Sequence, residues 1–433
     1  MEISGWGRYP KIDAQVLLPK TGSACASALK DPGLLIPRGL GRSYGDSSLA
    51  PTVLETTELQ YFQEFDPETG VLACDAGVSL YEILNVFIPQ GWFLPVTSGT
   101  RFVTVGGAIA SDIHGKNHHI DGTFCEHVLS FDIALGNGEI VTASSTQNPD
   151  LFHAPCGGMG LTGVIVSARI RLKPITSSEI LETTIKAPNL DAVLDGFEKY
   201  IGSTYSVAWI DCLAKGADLG RSLLMIGEHA TDGGLKVASK KPITIPMDAP
   251  TQLLNPLTIK AFNTLYYGKV LQAEQSRRTS FETYFYPLDQ MLHWNRLYGK
   301  PGFLQYQFVI PTATGREGMR RILEEITESG QGSFLAVLKA FGKQNKNYLS
   351  FPVEGYTLAL DFKVTPSIFK LLDRLDELVL QYGGRLYLAK DARMTEQTFK
   401  ASYPRWQEFE AVRSKYHAIG KFASLQSKRL GLA

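Results

Sequence analysis

The sequence predicts an α+β fold in which an antiparallel sheet backed by helices on one face follows a glycine-rich region of short strands. Three observations carry this. Residues 303–390 read as strand, helix, strand, strand, helix, strand, the split ferredoxin-like order, whose sheet is antiparallel. Residues 1–175 instead alternate short apolar runs with glycine-rich loops. Residues 385–433 are too few to fold alone and are expected to return to the first region.

Each element follows from local pattern. Leu34, Leu35, Ile36 and Pro37 form a short strand entering the loop GLGRSYGD, and Gly70 marks a turn before the strand VLACDAG. Ser79 and Glu82 have capping-box spacing, and Leu80, Ile83, Leu84 and Phe87 recur at helical spacing, so a helix starts near Ser79. Asn137-Gly138 between SFDIAL and EIVTAS predicts a type I′ hairpin. Residues 164–172 alternate as a strand that stops at Pro174. Segment 241–256, KPITIPMDAPTQLLNP, holds four prolines and predicts a long loop or lid. FLQYQFVIP, SFLAVLKAFG, YTLALDFKV and RLYLAKD read as strands, the last ending at Lys390. GREGMRRILEEITESG and SIFKLLDRLDELVLQYGG read as amphipathic helices, and residues 394–403 and 406–416 predict two more. No repeat with a period of about 20–50 residues is visible.

Composition narrows the function classes. With 433 residues, 44% of them apolar and 20% charged, the chain can bury a substantial core. Lys plus Arg and Asp plus Glu both number 43, so there is no basic excess of the kind a nucleic-acid partner calls for. Cys25, Cys74, Cys125, Cys156 and Cys212 form no CxxC pair, which argues against a zinc ribbon and suits buried thiols in a reducing compartment. The N-terminus carries no secretory pattern and no run of about 18 apolar residues occurs, so a cytoplasmic location is expected, with membrane-surface contact left open.

Two glycine clusters are the chemical candidates. In the segment from Pro37 to Asp46, three glycines let main-chain N–H groups approach a pyrophosphate, or simply make a turn cluster. Around Thr104, Gly106-Gly107 and the small residues after them would let a large planar or phosphorylated ligand lie against a bare helix, or let two helices pack closely. Gly158-Met159-Gly160-Leu161-Thr162-Gly163 satisfies GxGxxG, but a strand follows where the dinucleotide fingerprint requires a helix, so a Rossmann reading is rejected. His114, His118, His119 and His127, with Asp112 and Asp121, lack a metal signature such as HExxH, and no metal is expected. Gln305 and Gln307 project to one side of a strand, lining a polar pocket or facing solvent. Lys390, beside Asp391 and Arg393, is by default a surface ion pair.

The segments SGWGRYP, PRGLGRSYGD, SGTRFVTVGGAIASDIHGKNHH, GGMGLTGVI, FYPLD, WNRLYGKPGFLQYQFVIP, GGRLYLAKDAR and YPRW resemble the vanillyl-alcohol-oxidase/PCMH superfamily of FAD enzymes. Within it they are most similar to the decaprenylphosphoryl-β-D-ribose 2′-oxidase family, flavin subunits of ribose-to-arabinose epimerase systems. The motifs run from Ser4 to Trp406. The resemblance implies a PCMH-type FAD-binding domain from residues 1–175, rejoined by the segment 385–433, with a substrate domain inserted at 176–384. It implies that Pro37, Arg38, Gly39, Leu40, Gly41, Arg42, Ser43, Tyr44, Gly45, Asp46 and Ser47 cradle the pyrophosphate. Gly99, Thr104, Val105, Gly106, Gly107, Ser111, Asp112, Ile113 and His114 would line the flavin and ribityl chain. Ile165 and Tyr387 would complete the cofactor site.

The same resemblance implies oxidation of a secondary sugar alcohol, by hydride transfer to the flavin, on a lipid-linked or free sugar. A separate NAD(P)H-dependent reductase would act on the keto product. Lys390, Tyr44, Gln305 and Gln307 would be the catalytic group, and Lys116, Lys339 and Lys390 would contact substrate. Related oxidases bond FAD to a His in a GxGHS loop; Arg42 stands at that position here, so dissociable FAD is expected. Mycobacterial members carry Cys and Asn where this chain has Ala359 and Thr357, and a Tyr-His pair where it has Phe285 and Tyr286. These differences are expected at the pocket. The expected apolar approach for a lipid tail is segment 241–256 and the stretch after it.

Overall fold

A computed structural model describes residues 1–237, 242–250 and 254–432. Its N-terminal half holds a three-stranded and a five-stranded sheet, with two two-stranded pairs beside them. Strands β1 (Gln15–Leu17), β2 (Ile36–Arg38) and β3 (Thr52–Glu55) pair in parallel, in the order β1-β3-β2. Strands β4 (Phe62–Asp66) and β5 (Val71–Asp75) begin an antiparallel sheet. Helix α1 (Leu80–Phe87) starts at a full Ser79/Glu82 capping box and buries the four apolar residues its spacing predicts. The short helix α2 (Val105–Ala110) is capped by Thr104, whose hydroxyl accepts from the Gly107 N–H at 3.1 Å. Strands β6 (Val128–Ala134), β7 (Ile140–Ser144) and β8 (Val164–Arg171) complete the sheet in the order β7-β6-β8-β5-β4.

The hairpin between β6 and β7 is present, but its turn is not type I′. Gly138 N–H bonds to the Leu135 carbonyl at 2.8 Å, and Gly138 (φ 81°) takes the left-handed position that type I′ would give to Asn137 as well. Gly136 adds a residue to the loop, making a type I turn closed by a glycine bulge. The GxGxxG segment leads directly into β8, as a strand entry.

The second half is one eight-stranded antiparallel sheet. Its elements are β9 (Glu179–Ala187), α3 (Leu190–Lys199), β10 (Tyr205–Ile210), β11 (Ser222–His229), α4 (Pro256–Gly268) and β12 (Glu274–Ser280), then β13 (Phe303–Pro311), α5 (Thr312–Ser329), β14 (Ala336–Phe341), β15 (Gly355–Lys363), α6 (Pro366–Gln381) and β16 (Arg385–Leu386). The strand order is β12-β9-β11-β10-β14-β15-β13-β16. The βαββαβ unit expected once therefore occurs twice, each with its strands ordered 4-1-3-2, joined where β10 pairs with β14. The two units share a strand order, which a search for short sequence repeats does not detect.

Alternation along these strands divides the sheet into two faces. Ala208, Leu224, Leu338, Leu358, Tyr306 and Phe308 point into a core with α3, α5 and α6. Met319, Ile322, Leu323 and Ile326 of α5 are fully buried there, each contributing about 1.5–3 kcal/mol of apolar burial. The helices expected on one face for residues 303–390, α5 and α6, lie in that core, unlike α4, which precedes that unit. Helix α4 lies on the opposite face, where Tyr266, Tyr267 and Val270 pack on Trp209 and Leu223. Pro256 opens α4, and Ile243–Thr244 pairs with Met291–Leu292; residues 241 and 251–253 of the expected loop lie outside the described residues.

The final strand is shorter than RLYLAKD suggests. Pairing ends at Leu386, and Lys390 sits in the following turn, its N–H bonded to the Tyr387 carbonyl at 3.0 Å. The chain then forms α7 (Glu396–Ser402), α8 (Trp406–Lys415) and α9 (Leu425–Arg429). Arg413, fully buried on α8, donates to the carbonyls of Leu161, Phe422 and Leu432, and Leu35 bridges to Phe422. Among the described residues, no helix is long and apolar enough to cross a membrane.

Candidate active site

A cleft runs between the glycine-rich half and the helix-free part of the sheet, with about 1780 Å³ of non-protein space, its open mouth included. Residues 37–44, Ser47, Gly99, Thr104, Gly106, Gly107, Ser111, Ile113, His114 and Ile165 line it from one side. Gln305, Gln307, Lys339, Ala359, Tyr387 and Lys390 line it from the other.

The first glycine cluster is shaped by contact. A Cβ on Gly39 would meet Thr104 Oγ1 at 2.4 Å, and Gly41 (φ 62°) holds a left-handed turn. The main chain therefore faces the cleft bare. Arg42 lies over the Trp6 ring, 4.1 Å from its centroid. It also feels Asp289, a buried wall residue that accepts from the Arg101 N–H at 2.9 Å.

His114 defines the middle of the cleft. Burial, with Lys339, His118 and Lys390 adding their charges, holds its imidazole well below the usual range, so it is neutral. Gln307 Nε2 lies 3.0 Å from His114 Nε2 and 3.3 Å from Thr357 Oγ1, whose own proton goes to the Phe308 carbonyl at 2.8 Å. Gln307 thus donates to His114 Nε2, and the ring proton sits on Nδ1. His114 Nδ1 and Thr162 Oγ1 are buried without a protein partner, and both residues line the cleft. These orphaned polar atoms, beside a glycine cradle and two lysines, fit a flavin dinucleotide. Among the described residues, no cysteine lines the cleft.

The far end is cationic. Lys390 Nζ lies over the Tyr44 ring, 3.9 Å from its centroid. Burial brings Lys390 down to about 7, with Asp361 pulling it up and Lys339 pushing it down; burial brings Lys339 down to about 8. Gln305 Nε2 donates to Asp361 Oδ1 at 2.6 Å. Lys390 forms no surface ion pair: its neighbours Asp391 and Arg393 are taken by Arg429 and Asp376.

Five expected site residues are not part of the wall. Asp112, fully buried, accepts through Oδ2 from Asn345 (2.7 Å), Asn347 (2.9 Å) and Ser350 (2.6 Å), and through Oδ1 from the Cys125 N–H at 3.3 Å. It fastens α2 to the loop between β14 and β15. Val105 is buried in the core beneath the cleft. Asp46 pairs with Arg429 at 2.7 Å, and a Cβ on Gly45 would meet the Asp391 carbonyl at 1.8 Å, so both hold the returning tail. Lys116 donates to the Tyr284 carbonyl and sits over that ring at 3.9 Å, away from the lining. Phe285 and Tyr286 are also behind the wall, Tyr286 bonded to Thr97 at 2.6 Å. His118, His119 and His127 are engaged with the main chain at Gly342, Ser203 and Asp121.

Sequence reasoning missed Trp6, Thr162, Asp289, Trp294 and, beneath the floor, Asp361. Asp361 had a signal: it is the one acid in an apolar strand, on the same face as Thr357 and Ala359.

Residues 14–144 match a family described as an FAD binding domain. The whole chain is similar to decaprenylphosphoryl-β-D-ribose oxidase of Mycolicibacterium smegmatis, 38% identical across 99% of this chain and 97% of that protein. An uncharacterized protein of Streptomyces coelicolor is 30% identical over 82% of this chain and all of its own length. An FAD-dependent monooxygenase of Aspergillus calidoustus is 34% identical over 32% of this chain and 27% of its own. With its PCMH-type cradle and inserted antiparallel sheet, the chain is an FAD-dependent oxidoreductase and belongs to the family of decaprenylphosphoryl-β-D-ribose oxidases.

Proposed function

We propose that the chain oxidises the 2′-hydroxyl of a polyprenyl-phosphoryl-β-D-ribose to the 2-keto intermediate. It is then the oxidase half of an epimerase system for arabinose donors, and a separate NAD(P)H-dependent reductase consumes the product. In this reading residues 1–175 and 385–433 hold FAD and residues 176–384 hold substrate. The observation that carries it is the cationic end of the cleft, Lys339 and Lys390 beside Gln305 and Gln307, in a chain similar along its length to an oxidase of that donor. Bound FAD supplies an acceptor for two electrons, taken as hydride from the carbinol carbon. The loop at residues 37–44 offers main-chain N–H groups to the pyrophosphate. His114 Nδ1–H and Thr162 Oγ1 are unspent polar groups for the flavin. Lys390 orients the sugar hydroxyl, and Lys339 favours the donor's phosphate by charge. Arg42 in place of histidine, with no cysteine in the lining, supports FAD held without a covalent bond.

A lipid-linked donor needs an apolar approach, and α4 supports one. Leu257 and Leu265 on α4 and Leu271 beyond it are 80%, 75% and 88% exposed, flanked by Lys260 and Lys269. From this surface, ring contacts run Phe262–Phe334 (5.7 Å), Phe334–Tyr298 (5.7 Å), Tyr298–Phe303 (4.3 Å) and Phe303–Tyr44 (5.4 Å) to the ring beneath Lys390. The protein then works peripherally at the inner face of the cell membrane.

Anaerobic titration tests this. Prenyl-phosphoryl ribose bleaches the flavin absorbance of wild type and leaves Lys390→Ala yellow. Bleaching by free polyols or aldonolactones but not by the lipid-linked sugar replaces this substrate with a soluble one. Bleaching by no donor, at full FAD occupancy, leaves a non-catalytic flavoprotein.

A further inference from the structure

Lys390 reaches the cleft on a turn, so something other than a strand has to set its place. Among the described residues no hydrogen bond or ion pair holds its amine, which lies over the Tyr44 ring, 3.9 Å from the centroid. The main chain does the holding. Lys390 N–H bonds to the Tyr387 carbonyl at 3.0 Å, and Tyr44 N–H bonds to the Ala389 carbonyl at 3.0 Å. The turn and the loop at residues 37–47 are pressed together so closely that Gly45 has no room for a Cβ beside the Asp391 carbonyl.

One side chain spans both segments. Arg429, on α9, donates through Nη2 to Asp46 Oδ1 at 2.7 Å and through Nη1 to Asp391 Oδ2 at 2.9 Å. Asp391 follows Lys390 in the chain, and Asp46 stands two residues after Tyr44. Both carboxylates are buried. Asp391 Oδ1 accepts from the N–H groups of Arg393 and Met394 at 2.9 and 2.7 Å, so the carboxylate that Arg429 grips also closes the exit of the turn. Gln426, one helical turn earlier, repeats the pattern: its N–H bonds to the Asp46 carbonyl at 3.4 Å and its amide to the Leu388 carbonyl at 2.8 Å. Helix α9 is a firm base for this. Ser424 and Ser427 form a capping box, Leu430 and Leu432 are buried, and the Leu432 carbonyl accepts from Arg413 at 3.0 Å. Those contacts already secure the tail, so a fork spent on two segments at the cleft has another use.

We propose that Arg429 is a positioning residue that sets the Lys390 amine over the Tyr44 ring by clamping the two segments that carry them. The use made of that placement rests on the proposed alcohol oxidation. Arg429 is not among the residues lining the cleft and touches no substrate. Its planar fork fixes two carboxylates at a set separation, which the point charge of a lysine does not. A cation gains from an aromatic face only within about 6 Å of the centroid, and a misplacement of about 1 Å at a reacting centre costs roughly 100-fold in rate. The returning tail thereby shapes the site without entering it.

The test is the pair Arg429→Gln with Asp46→Asn in purified FAD-loaded protein, which removes the clamp together with one charge of each sign. The groups facing Lys390, namely Asp361 of β15, Lys339 of β14, His114 and Tyr44, are left as they are. The first readout needs no substrate: the pH midpoint for acetylation of Lys390 by acetic anhydride, read by peptide mass spectrometry. Burial holds that amine down to about 7, and release into the open cleft moves the midpoint up by about one pH unit or more. The second is the limiting rate of anaerobic flavin bleaching by saturating prenyl-phosphoryl ribose, which falls roughly 100-fold at full FAD content. Added to Tyr44→Leu, which has already lost the ring, the same pair costs less than about threefold more. Arg429→Lys, the variant to use if the pair does not retain FAD, moves the midpoint in the same direction by less. An unchanged Lys390 midpoint in the variant that holds FAD overturns the proposal, and so does a further loss of roughly 100-fold on top of Tyr44→Leu, the mark of a general loosening. If no sugar bleaches wild type, the substrate reading has failed, and the acetylation midpoint still decides the positioning.

Discussion

Asp112→Asn is expected to loosen the joint between the cofactor half and the sheet. Three donors, from Asn345, Asn347 and Ser350, converge on Asp112 Oδ2 within 2.9 Å, and the Cys125 N–H reaches Oδ1. Bonds to a charged group are worth about 1.5–3 kcal/mol each, neutral ones about 0.5–1.5. An amide oxygen turned to the three donors loses about 1 kcal/mol per bond, about 3 in all. The amide NH₂ then faces the Cys125 N–H, a donor against a donor, for about 1 kcal/mol more. The backbone adds little, because Asn tolerates the positive φ of 39° seen at Asp112. The total is about 3–4 kcal/mol. The assay is the temperature at which flavin fluorescence rises on FAD release, with denaturant unfolding alongside. A release temperature equal to wild type refutes the view that this carboxylate is a fastener and returns it to the cofactor site.

Other outcomes follow from charge and surface. Burial holds Lys116 and Lys390 down to about 7 against 10.5 for free lysine, so between those values the folded state binds fewer protons than the unfolded. Their penalty is full below pH 7 and fades as pH rises to 10.5; Lys116→Met should flatten part of the rise in stability measured by denaturant titration across that window. Acid precipitation should leave the yellow colour in the supernatant, and colour in the pellet would reveal a covalent flavin. Vesicles containing phosphatidylglycerol should sediment the protein, and the triple change Leu257→Glu, Leu265→Glu, Leu271→Glu should abolish this; equal sedimentation removes α4 from membrane contact.

Much of this was legible where one force dominates. The second βαββαβ unit could be read because α5 and α6 carry a strong apolar stripe against alternating strands. The first unit could not, since α4 buries only Asn263 among its residues and shows its leucines to solvent. Local glycine chemistry located the cleft wall, yet Gly45, Asp46 and Asp112 lie within the same motifs and serve distant partners such as Arg429 and Asn345. Their partners are over 200 residues away, beyond any spacing rule. Lys116 went elsewhere for the same reason: the ring and carbonyl of Tyr284 capture it.

The open eight-stranded sheet has to finish on both sides, and unpaired strand edges invite stacking of one molecule on another. On one side the chain places Arg277 and Arg278, clamped to Glu182 and Glu179 at 3.0 and 2.7 Å. On the other it stops pairing after two residues and turns away at Lys390, so only a short ladder is offered to a neighbour. Truncated pairing at that border thus shortens the ladder open to a neighbour and leaves the turn that sets Lys390 over the Tyr44 ring.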